Sequence, residues 1–147
     1  MYFFIRSLQA GFGFWLFHPL WLAGVWSVQG YPPTGRDFLR WYALGAFNSA
    51  PIIATGIAGG LWGIWLLWHG ARCSPRRLRV GGALFMGLLV PPLAYALLLE
   101  YAHMTPYADP SVVLHTLLRA YLYLSGTAVL VGWLTGAPRT AQRLHRV

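Results

Sequence analysis

The chain has 147 residues, of which 57% are hydrophobic and only 10% are charged, far below the roughly 25% of charged residues that is usual in soluble domains. Its net charge of +8 comes from 11 arginines, with no lysine, against three acidic side chains. This composition excludes an ordinary soluble domain. The arginines flank apolar stretches where loops meet a membrane, so we expect no nucleic-acid partner either.

Four apolar stretches, each about as long as a bilayer span, follow one another along the chain. A spanning helix needs roughly 20 apolar residues, and the stretches that qualify are 10–28, 48–68, 80–100 and 112–134. We therefore predict an all-α integral membrane protein with four transmembrane helices, which together form a single domain over residues 1–147. The loops between the spans leave no room for a separate soluble domain.

The arginines predict how these helices are oriented. Arg6 precedes the first stretch, and two further groups follow the second and fourth stretches: Arg72, Arg76, Arg77 and Arg79, then Arg139, Arg143 and Arg146. Since cytoplasmic loops are rich in positive charge, both termini and the central loop are expected in the cytoplasm. Arginine without lysine is typical of a GC-rich genome, so we predict a multi-pass protein of a bacterial inner membrane.

A short interfacial helix is expected before the second span. Thr34 and Asp37 have the spacing of a capping box, and a single helix from there through 68 would be about 50 Å long, too long for one upright span. Asn48 and Pro51 offer a bend. We predict an interfacial segment over 37–47, followed by the span.

Glycines and prolines within the spans predict packing and kinks. Two pairs of glycines four residues apart allow another helix to approach closely: Gly56 with Gly60, and Gly59 with Gly63. Pro91 and Pro92 lie at the centre of the third span, where they remove backbone donors and predict a kink.

Polar residues in the fourth span give the clearest candidate site. Arg119 lies about seven residues inside the span, or ~10 Å deep, where a charge costs roughly 2.5 to 3.5 kcal/mol and is functional by default. His115, Arg119 and Tyr123 repeat every four residues and form one polar stripe. Glu100 ends the third span on the same side, so we expect a structural Arg119–Glu100 pair. An anionic ligand, such as a lipid headgroup or a carboxylate substrate, and a contact to another subunit are the alternatives.

The histidines do not predict a cofactor site within this chain. A b-type haem between two histidines needs ligands at nearly equal depth on facing helices, whereas His18 and His115 lean in opposite directions. We therefore predict no cofactor, and allow haem b only with a partner subunit. For His18 we expect a hydrogen-bonded packing role. The sequence also has no metal-binding or catalytic motif of the usual spacing.

The pattern as a whole predicts a non-catalytic accessory subunit of a larger membrane complex rather than an enzyme. It is expected to act by helix–helix docking, in which the glycine-rich second span and the polar fourth span pack against other membrane proteins. Its expected partners are other integral membrane proteins and anionic lipids. Two alternatives remain open: a haem- or quinone-contacting anchor subunit of a respiratory complex, and a small transporter component that binds an anionic solute at Arg119.

Overall fold

The structure is a computed structural model and describes residues 1–45, 49–101 and 109–138. This part of the chain is almost entirely helical. Its helices are α1 (Tyr2–Val28), α2 (Gly35–Gly45), α3 (Ser49–His69), α4 (Pro75–Tyr101) and α5 (Pro110–Thr135), with a short 3₁₀ turn at Gly70–Arg72. Three stretches of the described chain are long and apolar enough to cross a membrane: Ala50–Arg72, Pro75–Leu99 and Pro110–Thr135.

The four long helices form a bundle in which each helix packs against two antiparallel neighbours. α1 contacts α3 and α5, and α4 contacts the same two helices from the other side. Mostly small side chains fill the centre: Ala10, Phe14, Ala54, Ala58, Met86, Val90, Ala94, Ala128 and Val131. α1 has 27 residues and is therefore about 40 Å long, but it is not among the three stretches that are long and apolar enough to cross a membrane.

The two ends of the bundle differ in charge. Arg6 of α1 donates a hydrogen bond to the Thr135 carbonyl at the end of α5, and Trp62 of α3 donates one to the Gly136 carbonyl. The start of α1, the α3–α4 turn and the end of α5 therefore share one end. We call this the arginine-rich end, because four exposed arginines lie in that turn and the first turns of α4: Arg72, Arg76, Arg77 and Arg79. The other end, where α4 ends and α5 begins, is called the far end.

α1 stops in a well-defined turn at the far end. The Tyr31 amide bonds the Trp26 carbonyl and the Gly30 amide bonds the Ser27 carbonyl, which is the Schellman pattern that satisfies the last carbonyls of a helix. This motif needs a left-handed residue, and Gly30 supplies it with φ of 87°. The chain can then reverse toward α2.

α2 is a separate helix, as the sequence predicts, and spans Gly35–Gly45. It begins with the expected cap, because the Asp37 carboxylate accepts hydrogen bonds from the Thr34 amide (2.7 Å) and hydroxyl (2.8 Å). α3 begins at Ser49, so the chain breaks near the predicted bend, although Asn48 itself lies outside the described residues. Trp41 of α2 packs edge to face on Trp26 of α1, with ring centroids 5.2 Å apart.

Three of the four long helices, α1, α4 and α5, are longer than the predicted spans, most of all α1. α1 begins at Tyr2, whereas the first predicted span begins at residue 10. Similarly, α4 begins at Pro75 rather than near residue 80. Because α1 starts early, Arg6 lies inside a helix of the bundle instead of in a flanking segment.

Candidate functional site

Arg6 is the buried arginine of the described chain, with only 5% of its surface exposed. Its Nε and Nη2 atoms donate to the Tyr2 hydroxyl, at 3.1 and 2.9 Å, and its Nη1 atom donates to the Thr135 carbonyl at 2.8 Å. A guanidinium has five N–H groups, so two of them find no acceptor among the described residues. A buried cation with spare donors is a site at which an anion is favoured.

The acidic side chains of the protein lie far from Arg6. Asp37 lies in the first turn of α2 and Asp109 caps α5, and both positions are at the far end. Glu100 lies in the last turn of α4, 25 residues beyond Pro75, or about 38 Å along the helix. None of the three carboxylates can therefore neutralise Arg6.

A groove between α1 and α5 opens beside Arg6. It encloses a volume of about 270 Å³, which is at the lower end of the range for small-molecule sites. Arg6, Gln9 and Thr135 supply its polar wall, and the remaining lining residues are apolar or glycine: Phe12, Gly13, Leu16, Phe17, Val131, Leu134 and Ala137. The groove thus has a positively charged side chain at one end and an apolar lining along the rest of its length.

His18 lies deeper between the same two helices. Its Nδ1 atom is 3.2 Å from the Thr127 hydroxyl, and its ring stacks on Phe14 with centroids 4.7 Å apart. The hydrogen-bonded packing role expected from the sequence is what the structure has at this position.

The predicted polar stripe on α5 is only partly covered. His115 and Arg119 are exposed, while Tyr123 is half-buried and its hydroxyl accepts a long 3.5 Å hydrogen bond from Gln29. Leucines border this stripe and are exposed as well. We call the whole surface the His115–Arg119 face; its members are Leu114, His115, Leu118, Arg119 and Leu122.

Arg119 and Glu100, the predicted ion pair, belong to α5 and to the last turn of α4. The side chain of Glu100 lies outside the described residues, so the Arg119–Glu100 pair stays a prediction. Arg119 itself is nine residues after Pro110, the first residue of α5, which puts it about 14 Å from the far end of that helix.

Pro92, the second of the two prolines of α4, is accommodated by a tyrosine that the sequence pattern does not single out. α4 continues through Pro91 and Pro92. Pro92 has no N–H, so the Leu88 carbonyl loses its usual helical donor, and the Tyr121 hydroxyl of α5 donates to it instead at 2.9 Å. The sequence predicts that the Leu88 carbonyl lacks a helical donor, because Pro92 follows four residues later. Which side chain donates to it instead depends on how α4 and α5 pack.

The four glycines of α3 face α1 of the same chain. A Cβ atom on Gly59 would collide with Ala10, one on Gly60 with the Phe3 ring, and one on Gly63 would lie 2.8 Å from the Arg6 side chain. At Gly56 the nearest atom is the Ser7 carbonyl oxygen, at 3.5 Å. The close approach predicted by these glycines is therefore used within the protein.

The acidic residues outside the long spans act as helix caps. Hydrogen bonds from the Thr34 amide and hydroxyl hold the pKa of Asp37 below its ordinary value, and those from Ser111 do the same for Asp109. Both side chains therefore stabilise helix starts in their ionised form.

Comparisons of the chain with protein-family models, with curated proteins and with solved structures found no match. Within the described ranges there is no group of three or more His, Cys, Asp or Glu side chains that could hold a metal ion. The features with a bearing on function are accordingly the Arg6 groove and the His115–Arg119 face.

Proposed function

We propose that this protein is a non-catalytic, multi-pass subunit of a bacterial inner membrane that acts by docking onto other integral membrane proteins. In this proposal α1, α3, α4 and α5 all cross the membrane. α2 does not lie flat along the far interface, as the sequence predicts, but packs back along α1: Trp15 donates to the Tyr42 carbonyl, and the Tyr42 hydroxyl donates to the Leu16 carbonyl. The arginine-rich end and both chain termini face the cytoplasm, because positive charge collects on that side.

The observation that carries the proposal is the exposure of Arg119. This cation lies about 14 Å into a helix that is apolar enough to span a membrane, and neither α1 nor α4 covers it. Facing lipid at such a depth costs roughly 2.5 to 3.5 kcal/mol. A partner helix that offers an acidic group or a free carbonyl removes that cost, and the neighbouring leucines supply apolar packing area.

The polar groups between the helices support a structural role. Ser7 donates to the Gly56 carbonyl, and Trp62 to the Gly136 carbonyl, at 2.7 and 2.9 Å. Such bonds hold the helices against each other. The donors and carbonyls that form them are therefore not available to a partner protein. The side chains of the His115–Arg119 face take part in neither of these two bonds and are exposed.

Site-specific photocrosslinking in native membranes tests the proposal. A photoreactive residue at Leu118 should give one adduct of defined mass, and the partner should co-purify in a fixed ratio. Arg119→Gln in the same protein should lower the adduct at least about tenfold, which corresponds to about 1.4 kcal/mol. Leu84 of α4 is the matched control, because it is 60% exposed against 58% for Leu118, and it should give no such adduct.

Two results would contradict docking through this face. One is purification of a stable monomer with no stoichiometric partner; the other is equal crosslinking from Leu118 and Leu84. A Soret band in the purified protein would favour the haem-anchor alternative instead. Flux of an anionic solute in proteoliposomes that disappears in Arg119→Leu would favour the transporter alternative.

A further inference from the structure

Arg6 and the groove beside it form a site that docking does not use. Arg6 is 5% exposed, and among the described residues its guanidinium keeps two N–H groups without an acceptor and pairs with no carboxylate side chain. The tail that follows Pro138 offers no acidic side chain and adds Arg139, Arg143 and Arg146. No acidic side chain of the described residues therefore pairs with Arg6, and an anion from outside the chain would balance its charge.

We propose that the groove between α1 and α5 binds one anionic phospholipid from the leaflet at the arginine-rich end. Its phosphate accepts hydrogen bonds from the two free N–H groups of Arg6, and one acyl chain lies along Phe12, Leu16 and Leu134. This proposal rests on the proposed four-span arrangement, but not on docking to other proteins.

The shape of the groove favours a lipid over a free phosphate ion. A free anion needs a polar pocket, whereas beyond Gln9 and Thr135 the lining is apolar. From Arg6 to Leu16 is ten residues, or about 15 Å of helix, which matches the roughly 15 Å of hydrocarbon in one leaflet. The groove therefore follows an acyl chain from headgroup level to mid-membrane.

The charge at this end favours an anionic headgroup over a zwitterionic one. Four exposed arginines surround the same end of the bundle, and each basic residue near a surface attracts anionic lipid by about 1 kcal/mol. Phosphatidylglycerol should therefore bind more tightly than phosphatidylcholine, even though both carry a phosphate.

Native mass spectrometry of the full chain in mild detergent tests this selectivity. The protein is titrated with phosphatidylglycerol, with phosphatidylcholine of the same acyl chains, and with inorganic phosphate. We expect one retained phosphatidylglycerol per protein, binding of phosphatidylcholine at least about tenfold weaker, and no adduct with millimolar phosphate.

Gln9→Glu tests the role of Arg6 without removing it. Gln9 lines the groove one helical turn from Arg6, so a carboxylate of the same size at this position would pair with the guanidinium and repel a phosphate. The variant should fold in normal yield and lose phosphatidylglycerol binding about tenfold or more. Gln29→Glu, the same change at the other end of α1, should bind lipid as the wild type does.

Arg6→Gln provides a second measurement, in which folded yield is recorded beside lipid binding. Undiminished phosphatidylglycerol binding by either Arg6→Gln or Gln9→Glu would overturn the proposal. So would equal binding of the two phospholipids, which would mean that headgroup charge is not recognised. Inorganic phosphate that binds or displaces the lipid would assign the site to a free anion. Because membrane topology is measured separately, a failed lipid site leaves the four-span arrangement unaffected.

Discussion

At the scale of single residues, Gly59 is where α1 and α3 come closest. A Cβ atom there would overlap Ala10 and lie 3.1 Å from the Arg6 carbonyl. We predict that Gly59→Ala destabilises the protein by about 1 to 3 kcal/mol, because two backbones would have to move apart. Thermal unfolding in detergent, followed by tryptophan fluorescence, measures this.

Gly24 in α1 is the matched control for that substitution. A Cβ atom at Gly24 meets nothing within 4 Å, so Gly24→Ala should be neutral or slightly stabilising, as a helical glycine-to-alanine change usually is. Equal effects of the two substitutions would mean that α1 and α3 do not pack as closely as the structure has them.

Arg6, which is buried, and Arg119, which is exposed, differ in how much of their position the residue pattern predicts. Arg119 is recognisable from sequence because it interrupts an apolar stretch. Arg6 lies before residue 10, where a flanking arginine is usual, and its burial follows only because α1 begins at Tyr2. One signal was present in the sequence: Tyr2 stands four residues before Arg6, which is the spacing that puts both on one helix face.

At the scale of secondary-structure elements, α2 depends on a titratable cap. The hydrogen bonds from Thr34 lower the pKa of Asp37 below 3.8, so the ionised form stabilises the helix start. This contribution is complete above pH 3.8 and is lost as the pH falls through the lower pKa of the folded state. We predict that α2 frays as the pH falls below 3.8, while the long helices persist.

Hydrogen exchange of α2 amides as a function of pH measures this fraying. Asp37→Asn retains an acceptor but does not titrate, so its exchange near α2 should change little over the same range. Loss of protection in α2 that is identical in the wild type and in Asp37→Asn would show that a different group controls the helix start.

At the scale of the whole molecule, the distribution of arginines predicts membrane orientation. We expect the α3–α4 turn in the cytoplasm and the start of α5 on the other side. In a Cys73→Ser background, Ser74→Cys should react with a membrane-impermeant maleimide only after cells are permeabilised. Ser111→Cys should react in intact cells. Both positions are exposed, so the two substitutions form a matched pair.

Reaction of Ser74→Cys in intact cells would reverse the orientation. It would also place the Arg6 groove in the outer leaflet. The arginine-rich end would then face away from the cytoplasm, against the usual preference of positive charge for the cytoplasmic side. Labelling of both positions in intact cells would contradict the spanning of α4, whose Pro75–Leu99 stretch is long and apolar enough to cross.

The sequence by itself determined the features that depend on local chemistry. Apolar stretches of span length predicted the long helices, and the spacing of Thr34 and Asp37 predicted the capped start of α2. Glycines four residues apart predicted a close helix contact. Each of these follows from hydropathy, helix periodicity or a side chain that bonds its own backbone, so no distant residue is needed.

The tertiary structure decided which surfaces are occupied and which remain free. The glycines of α3 pack on α1 of this chain, and Arg6 is buried beside a groove. The Tyr121 hydroxyl donates a hydrogen bond to the Leu88 carbonyl, which lacks a helical donor because of Pro92. These arrangements join residues up to 129 positions apart, as between Arg6 and Thr135. Periodicity tells which face of a helix is small or polar, but only the packing of all four helices selects the neighbour that covers it.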